Sequence, residues 1–168
     1  MACQTPVRQS TAESIRFSPQ SFGRDLTLNQ QLQVRQAGQN HKVEVLLEIN
    51  ATHIRLAGFS AGHKVMSLVY DGQKLISDQS PFFPKAVSAA SILENIALTF
   101  WPLPILQQQL PRGWSVIETP QQRDIYRDGV LYLSISYDTP QRWEGTVQIT
   151  NPLYPYHLTI HSHEIAHG

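Results

Sequence analysis

The sequence predicts a mainly β protein with one or two helices (α+β), built as a curved antiparallel sheet with a helix lying in its concave face. Three observations carry this expectation. From Asp25 onward, apolar and polar residues alternate with period two in about ten short runs. Asp71-Gly72 and Asp128-Gly129 punctuate these runs, and Asp-Gly suits the positive φ angles of a two-residue hairpin turn. One stretch alone, Ala86 to Trp101, carries its apolar residues at helical spacing.

The runs follow in order. Leu26, Leu28, Leu32 and Val34 share one parity, as one strand or a bent pair. Val43, Val45, Leu47 and Ile49 share another, with Glu44 and Glu48 opposite, and Asn50 marks a turn. Ile54 and Leu56 are opposed by His53 and Arg55. Val65 to Tyr70 is β-branched and aromatic, and Lys74 to Ser77 pairs back after Asp71-Gly72. Trp114 to Glu118 and Arg123 to Arg127 open the second block. Leu131, Leu133, Ile135 and Tyr137 face one way, against Ser134 and Ser136. Trp143, Val147 and Ile149 follow, then Tyr156, Leu158 and Ile160.

Between the blocks, Ala89, Ile92, Leu93, Ile96, Ala97, Phe100 and Trp101 form a helical stripe. Ser88 or Ser91 caps it, the latter with Glu94 three residues on. Pro102 and Pro104 stop it, because neither donates a backbone hydrogen bond. Ile105 to Leu110 forms a second short helix before Pro111. A single apolar helix inside an antiparallel sheet buries its stripe best in a concave face, with Glu94 and Asn95 near the rim.

The chain of 168 residues has the length of one domain, with 41% apolar and only 15% charged residues. Thirteen basic residues balance thirteen acidic ones, which argues against a phosphate-backbone partner and so against nucleic acid. The longest near-apolar run, Ile96 to Leu106, is broken by Thr99, Pro102 and Pro104 and falls short of the ~20 residues a membrane span needs.

Two motifs resemble catalytic signatures. Gly58-Phe59-Ser60-Ala61-Gly62 has the G-x-S-x-G form of a nucleophile elbow. That elbow joins a strand to a helix, whereas His63 to Tyr70 reads as another strand. A Gly-rich hairpin turn is the competing reading, and a serine esterase using Ser60 is the alternative function. His163-Glu164-Ile165-Ala166-His167 has the H-E-x-x-H form of zinc peptidases, which requires a buried helix. A polar tail competes, so no catalytic residue, metal or cofactor is expected.

The one cysteine, Cys3, allows no internal disulfide. Ala2-Cys3 looks like what remains of a bacterial lipoprotein signal, whose last small residue precedes a lipid-modified cysteine. An incidental thiol is the other reading. Residues 4–25 are rich in Ser, Gln, Thr and Pro, as a flexible tether is. The organisation expected is therefore a tether over 1–24, a single folded domain over 25–162, and a tail over 163–168.

The order of these features resembles a family of uncharacterised bacterial lipoproteins encoded in aryl-polyene gene clusters. That family is itself distantly similar to the LolA/LolB outer-membrane lipoprotein carriers. The resemblance spans about Asp25 to Ile160 and rests on Leu68-Val69-Tyr70-Asp71-Gly72, Leu98-Thr99-Phe100-Trp101-Pro102-Leu103, Leu110-Pro111-Arg112-Gly113-Trp114, Ile135-Ser136-Tyr137 and Trp143-Glu144-Gly145. It implies a curved antiparallel half-barrel wrapped around a central helix, LolA/LolB-like, with an apolar cavity for acyl chains, and anchoring in the outer membrane through Cys3. Gln4, rather than Asp, fits the sorting pattern of enteric bacteria. It further implies an exposed apolar loop, for which Pro81-Phe82-Phe83-Pro84 is the candidate.

The expected function is non-enzymatic: binding or transfer of a lipid or lipid-linked, aryl-polyene-type molecule at the periplasmic face of the outer membrane. Ile92, Ile96, Phe100, Trp101, Leu103 and Leu106 are expected to form one wall of the lipid site. Val45, Leu47, Leu56, Leu133, Ile135, Trp143 and Val147 are expected to form the other. A structural lipoprotein with a filled core remains a further alternative.

Overall fold

The computed structural model describes residues 16–83, 87–152 and 156–165. Five strands come first: β1 (Leu26–Gln36), β2 (Gln39–Ile49), β3 (Ile54–Ser60), β4 (His63–Tyr70) and β5 (Leu75–Gln79). Helices α1 (Ala89–Phe100) and α2 (Leu103–Gln109) follow. Five more strands complete the chain: β6 (Trp114–Thr119), β7 (Gln122–Arg127), β8 (Val130–Tyr137), β9 (Gly145–Asn151) and β10 (Tyr156–Glu164). All pairings are antiparallel, in the order β5-β4-β3-β2-β1-β10-β9-β8-β7-β6. Two meanders are thus joined through their first and last strands. β5 and β6 are open edges, and the helices connect one edge to the other.

The strands between the two edges each bury one side, whereas β5 and β6 hold no fully buried residue. Leu26 and Leu28, Val45 to Ile49, Ile54 and Leu56, Met66 to Tyr70, Leu133 to Tyr137, Val147 and Ile149, and Leu158 and Ile160 supply alternate residues to one core. The opposite parity faces solvent, as expected of an antiparallel sheet covered on one face.

Antiparallel order divides the connections between two ends. At one end lie three two-residue hairpins, Ala37-Gly38, Ala61-Gly62 and Asp128-Gly129, each with positive φ at both positions. Positive φ at both residues matches the right-handed twist of the flanking strands. At the other end, Asn50–His53, Asp71–Lys74, Pro120-Gln121 and residues 138–144 turn the chain. The connection after β4 is therefore four residues long, not the two-residue Asp-Gly turn expected. The Asp71 carboxylate accepts from the Gln73 and Lys74 backbone N–H groups and organises it.

Helix α1 begins at the hairpin end. Gln79 Nε2 donates to the Val87 carbonyl at 3.0 Å, and Ser88 caps the helix in a reciprocal box with Ser91. The box partner at the third position is Ser91, and Glu94 is left free of the cap. Trp101 is extended at the C-cap, and Pro102 prevents continuation. Pro104 does not end a helix but lies in the first turn of α2, where a missing N–H is harmless.

Both proposed ends of the domain move. Residues 16–24, expected to belong to the tether, are part of the folded unit: Phe17 is buried ahead of a turn of 3-10 helix, Pro19–Phe22, and Phe22 is buried at its end. Polar composition around them concealed two large aromatic anchors. The last strand also runs past residue 162, through Glu164, because β1 offers pairing partners as far as Leu28.

Candidate functional site

The covered face of the sheet and the helices enclose one apolar interior, closed at one end. There the Trp101 ring packs against Phe17 and Phe22, with centroids 4.7 and 4.8 Å away. Phe17 meets Tyr70 at a tilt with centroids 5.5 Å apart, and Phe22 meets Trp143 at 6.2 Å. Trp101 Nε1 donates to Ser21 Oγ at 2.8 Å, and the Tyr70 hydroxyl donates to the Phe17 carbonyl at 2.9 Å. Arg24 lies over the Trp143 ring and pairs with Glu164. Burial raises the Tyr70 hydroxyl's pKa, against the lowering effect of its bond to Phe17.

A buried cation fastens the helix beside this plug. Arg123 on β7 is wholly buried. Its guanidinium donates to the carbonyls of Leu98 at 2.6 Å and Trp101 at 2.9 Å. These are carbonyls at the α1 C-terminus, where a positive charge also complements the helix dipole. Glu118 on β6 neutralises Arg123 at 3.0 Å and pairs with Arg142 as well. The Tyr137 hydroxyl donates to the Thr99 carbonyl at 2.6 Å, and burial pushes its pKa up to about 12.

The hairpin end is less tightly covered. Val34, Val43, Phe83, Ile92, Leu110, Trp114 and Tyr132 pack against the core there and remain half-buried. Phe82, beside Phe83, is 93% exposed. A bulge sets the rim of this end. Ile125 pairs with Leu133 but Tyr126 with Leu131, so Tyr132 is the extra residue in β8. Its ring meets Trp114 edge-on at 5.5 Å, and Arg127 lies 4.8 Å from the centroid of each.

The interior contains the residues expected to line a lipid site. Val45, Leu47, Leu56, Ile96, Phe100, Trp101, Leu106, Leu133, Ile135 and Val147 are buried in it, and Ile92, Leu103 and Trp143 are half-buried. Trp143 is not part of a strand. It precedes β9 in the 138–144 connection and belongs to the plug through Phe22 and Arg24. Leu103 opens α2, and Cys3 lies outside the described residues, as does Pro84 of the apolar loop.

Neither catalytic-looking motif sits in the setting its chemistry uses. Ser60 ends β3, pairs with His63, and is followed by strand β4 rather than a helix. His163 and Glu164 are consecutive residues of β10, so they point to opposite sides of the sheet. His163 lies 3.7 Å from Glu144, and Glu164 pairs with Arg24. His167 lies outside the described residues. Among the described residues, no group of three His, Cys, Asp or Glu side chains is placed to hold a metal.

On the solvent face of β1, β2 and β10, an open groove of about 250 Å³ lies between Asn29, Gln31, Glu44, His161, Ser162 and His163. No described helix is long and apolar enough to cross a membrane.

Residue periodicity alone did not single out Arg123, Arg127, Trp114 or Tyr132. The signal for Arg123 was present: a charge at the inward parity of a strand, two residues before Ile125. Nothing in the local sequence indicated that Tyr132 would turn inward, because a bulge depends on the partner strand.

The architecture is a mainly β domain, with an open antiparallel sheet covered on one face by a two-helix insertion between its edges. The chain belongs to the protein family of unknown function DUF3261, whose model matches residues 27–164, from the second residue of β1 to the end of β10. No curated protein matches the chain.

Proposed function

We propose that this protein is a non-enzymatic carrier or receptor, which takes an acyl chain of a lipid or lipid-linked molecule into the interior under its helices. The observation that carries the reading is Phe82: an aromatic side chain 93% exposed, at the less covered end of an apolar interior, with Phe83 beside it packed on the core. An exposed aromatic in this position suits contact with a lipid surface.

A half-barrel of the LolA/LolB kind fits the contact pattern. Tyr70 on β4 touches Phe17, Phe17 touches Trp101, and Trp101 accepts from Arg123 on β7. In a flat sheet β4 and β7 stand seven strand spacings apart, roughly 34 Å. Two ring contacts and one hydrogen bond join them more readily if the sheet curves around α1. Aryl-polyene cargo, outer-membrane residence and anchoring through Cys3 belong to the same proposal, motivated by Ala2-Cys3-Gln4 and by the family resemblance.

The test is titration with N-phenyl-1-naphthylamine, a neutral dye that fluoresces in apolar sites, together with native mass spectrometry of co-purified lipids. Saturable binding, abolished by Leu47→Trp in a folded protein, is the expected result. No binding by wild type, with Leu47→Trp unfolding the chain, would leave a filled core and a structural role. Localisation is tested separately: a precursor carrying Cys3→Ser should lose palmitate labelling and membrane association.

A further inference from the structure

The described residues contain three arginines held against aromatic rings, and they differ in one respect. Arg24 lies over Trp143 and pairs with Glu164. Arg142 lies over Tyr137 and pairs with Glu118. Arg127 is held by two rings, Trp114 and Tyr132, and forms no ion pair with any described carboxylate. It is also exposed. Asp128, its neighbour in the chain, turns its carboxylate over Gly113. Glu94 on α1 is the acid nearest in effect: burial disfavours its ionised form, and the Arg127 charge opposes that with a smaller effect.

The setting is equally specific. A bulge that inserts Tyr132 into β8 creates the second ring contact, and bulges commonly re-aim side chains at functional positions. Two rings restrict a guanidinium that would otherwise sweep through solvent, while its N–H edge stays available for bidentate bonding. Trp114, Tyr132, Leu110 and Ile92 continue from this cation into the apolar interior.

We infer that Arg127 is the headgroup-reading residue of the interior: the ligand is an anionic amphiphile whose carboxylate or phosphate pairs with Arg127 while its chain enters beside Trp114 and Tyr132. This rests on the acyl-chain reading above and adds the charge and direction of the ligand. A free anion shares the headgroup chemistry but not the need for a chain.

Competition against bound N-phenyl-1-naphthylamine at pH 7.5 tests it, with dodecanoate, dodecyl phosphate and dodecanol as competitors. Wild type should prefer the two anions over the alcohol by about tenfold, the scale of one partly solvated charge-assisted contact. Arg127→Gln should bring both anions to the level of dodecanol and leave dodecanol unchanged. Arg112→Gln, which removes an exposed charge at the same end, should keep the preference. A preference that survives Arg127→Gln, or equal binding of all three competitors by wild type, overturns the inference and leaves the acyl-chain reading intact. Failure of the dye and every competitor to bind removes both. Inorganic phosphate that binds wild type calorimetrically as tightly as dodecyl phosphate makes this a free-anion site and overturns the headgroup assignment.

Discussion

Arg123 is the side chain on which the closed end depends most. It is wholly buried, yet it has two carbonyls and a carboxylate as partners. Truncation leaves the two carbonyls without this donor, while Glu118 keeps Arg142. Arg123→Ala is expected to destabilise the fold by about 3–5 kcal/mol, measured by urea denaturation. Glu118→Gln should lower stability less, because Arg123 keeps both carbonyls. Tyr137 makes a second prediction at this scale. Its pKa in the folded protein is about 12, above its ordinary value of 10.0. Its contribution to stability is therefore fully present below pH 10 and is lost as pH rises through 12, by roughly 2–3 kcal/mol. Denaturation midpoints measured from pH 9 to 12 should fall in that window for wild type. Tyr137→Phe should show a shallower fall from a lower starting stability.

Among the elements, α1 has the most to hold in register. Its N-terminus is closed by Ser88 and Ser91, and its C-terminus by Arg123. Ser88→Ala removes the acceptor for the Ser91 N–H and is expected to cost about 1 kcal/mol, with weaker hydrogen-exchange protection confined to the first turn. The helix was legible because its apolar residues recur at 3.6-residue spacing between two prolines. The strands were legible because one covered face enforces alternation. The bulge at Tyr132 and the four-residue loop at Asp71 were not, because both depend on how a partner strand is registered.

For the whole molecule, residues 16–24 are structural, although their composition is that of a linker. A chain beginning at Arg16 keeps Phe17 and Phe22 and is the reference. One beginning at Gly23 loses Phe17 and Phe22, exposes Trp101, and is expected to be less stable by at least ~3 kcal/mol, read by thermal melting and intrinsic fluorescence. Were the segment a tether, the two truncations would melt together. The open edges β5 and β6 carry exposed Ile76 and Ile117, so association of copies is best controlled by working at several protein concentrations.

The order of the strands along the chain, the single helical insertion, the break at Pro102 and the membership of the core follow from local pattern, because burying one face imposes a period that a one-dimensional reading detects. Tertiary structure alone decided that β1 pairs with β10, that two phenylalanines from an apparent linker seal one end, and that Arg123 is buried while Arg127 is exposed between two rings. Those outcomes depend on contacts between residues distant in the chain, such as Phe17 with Trp101 and Arg123 with Leu98, and no local periodicity encodes them.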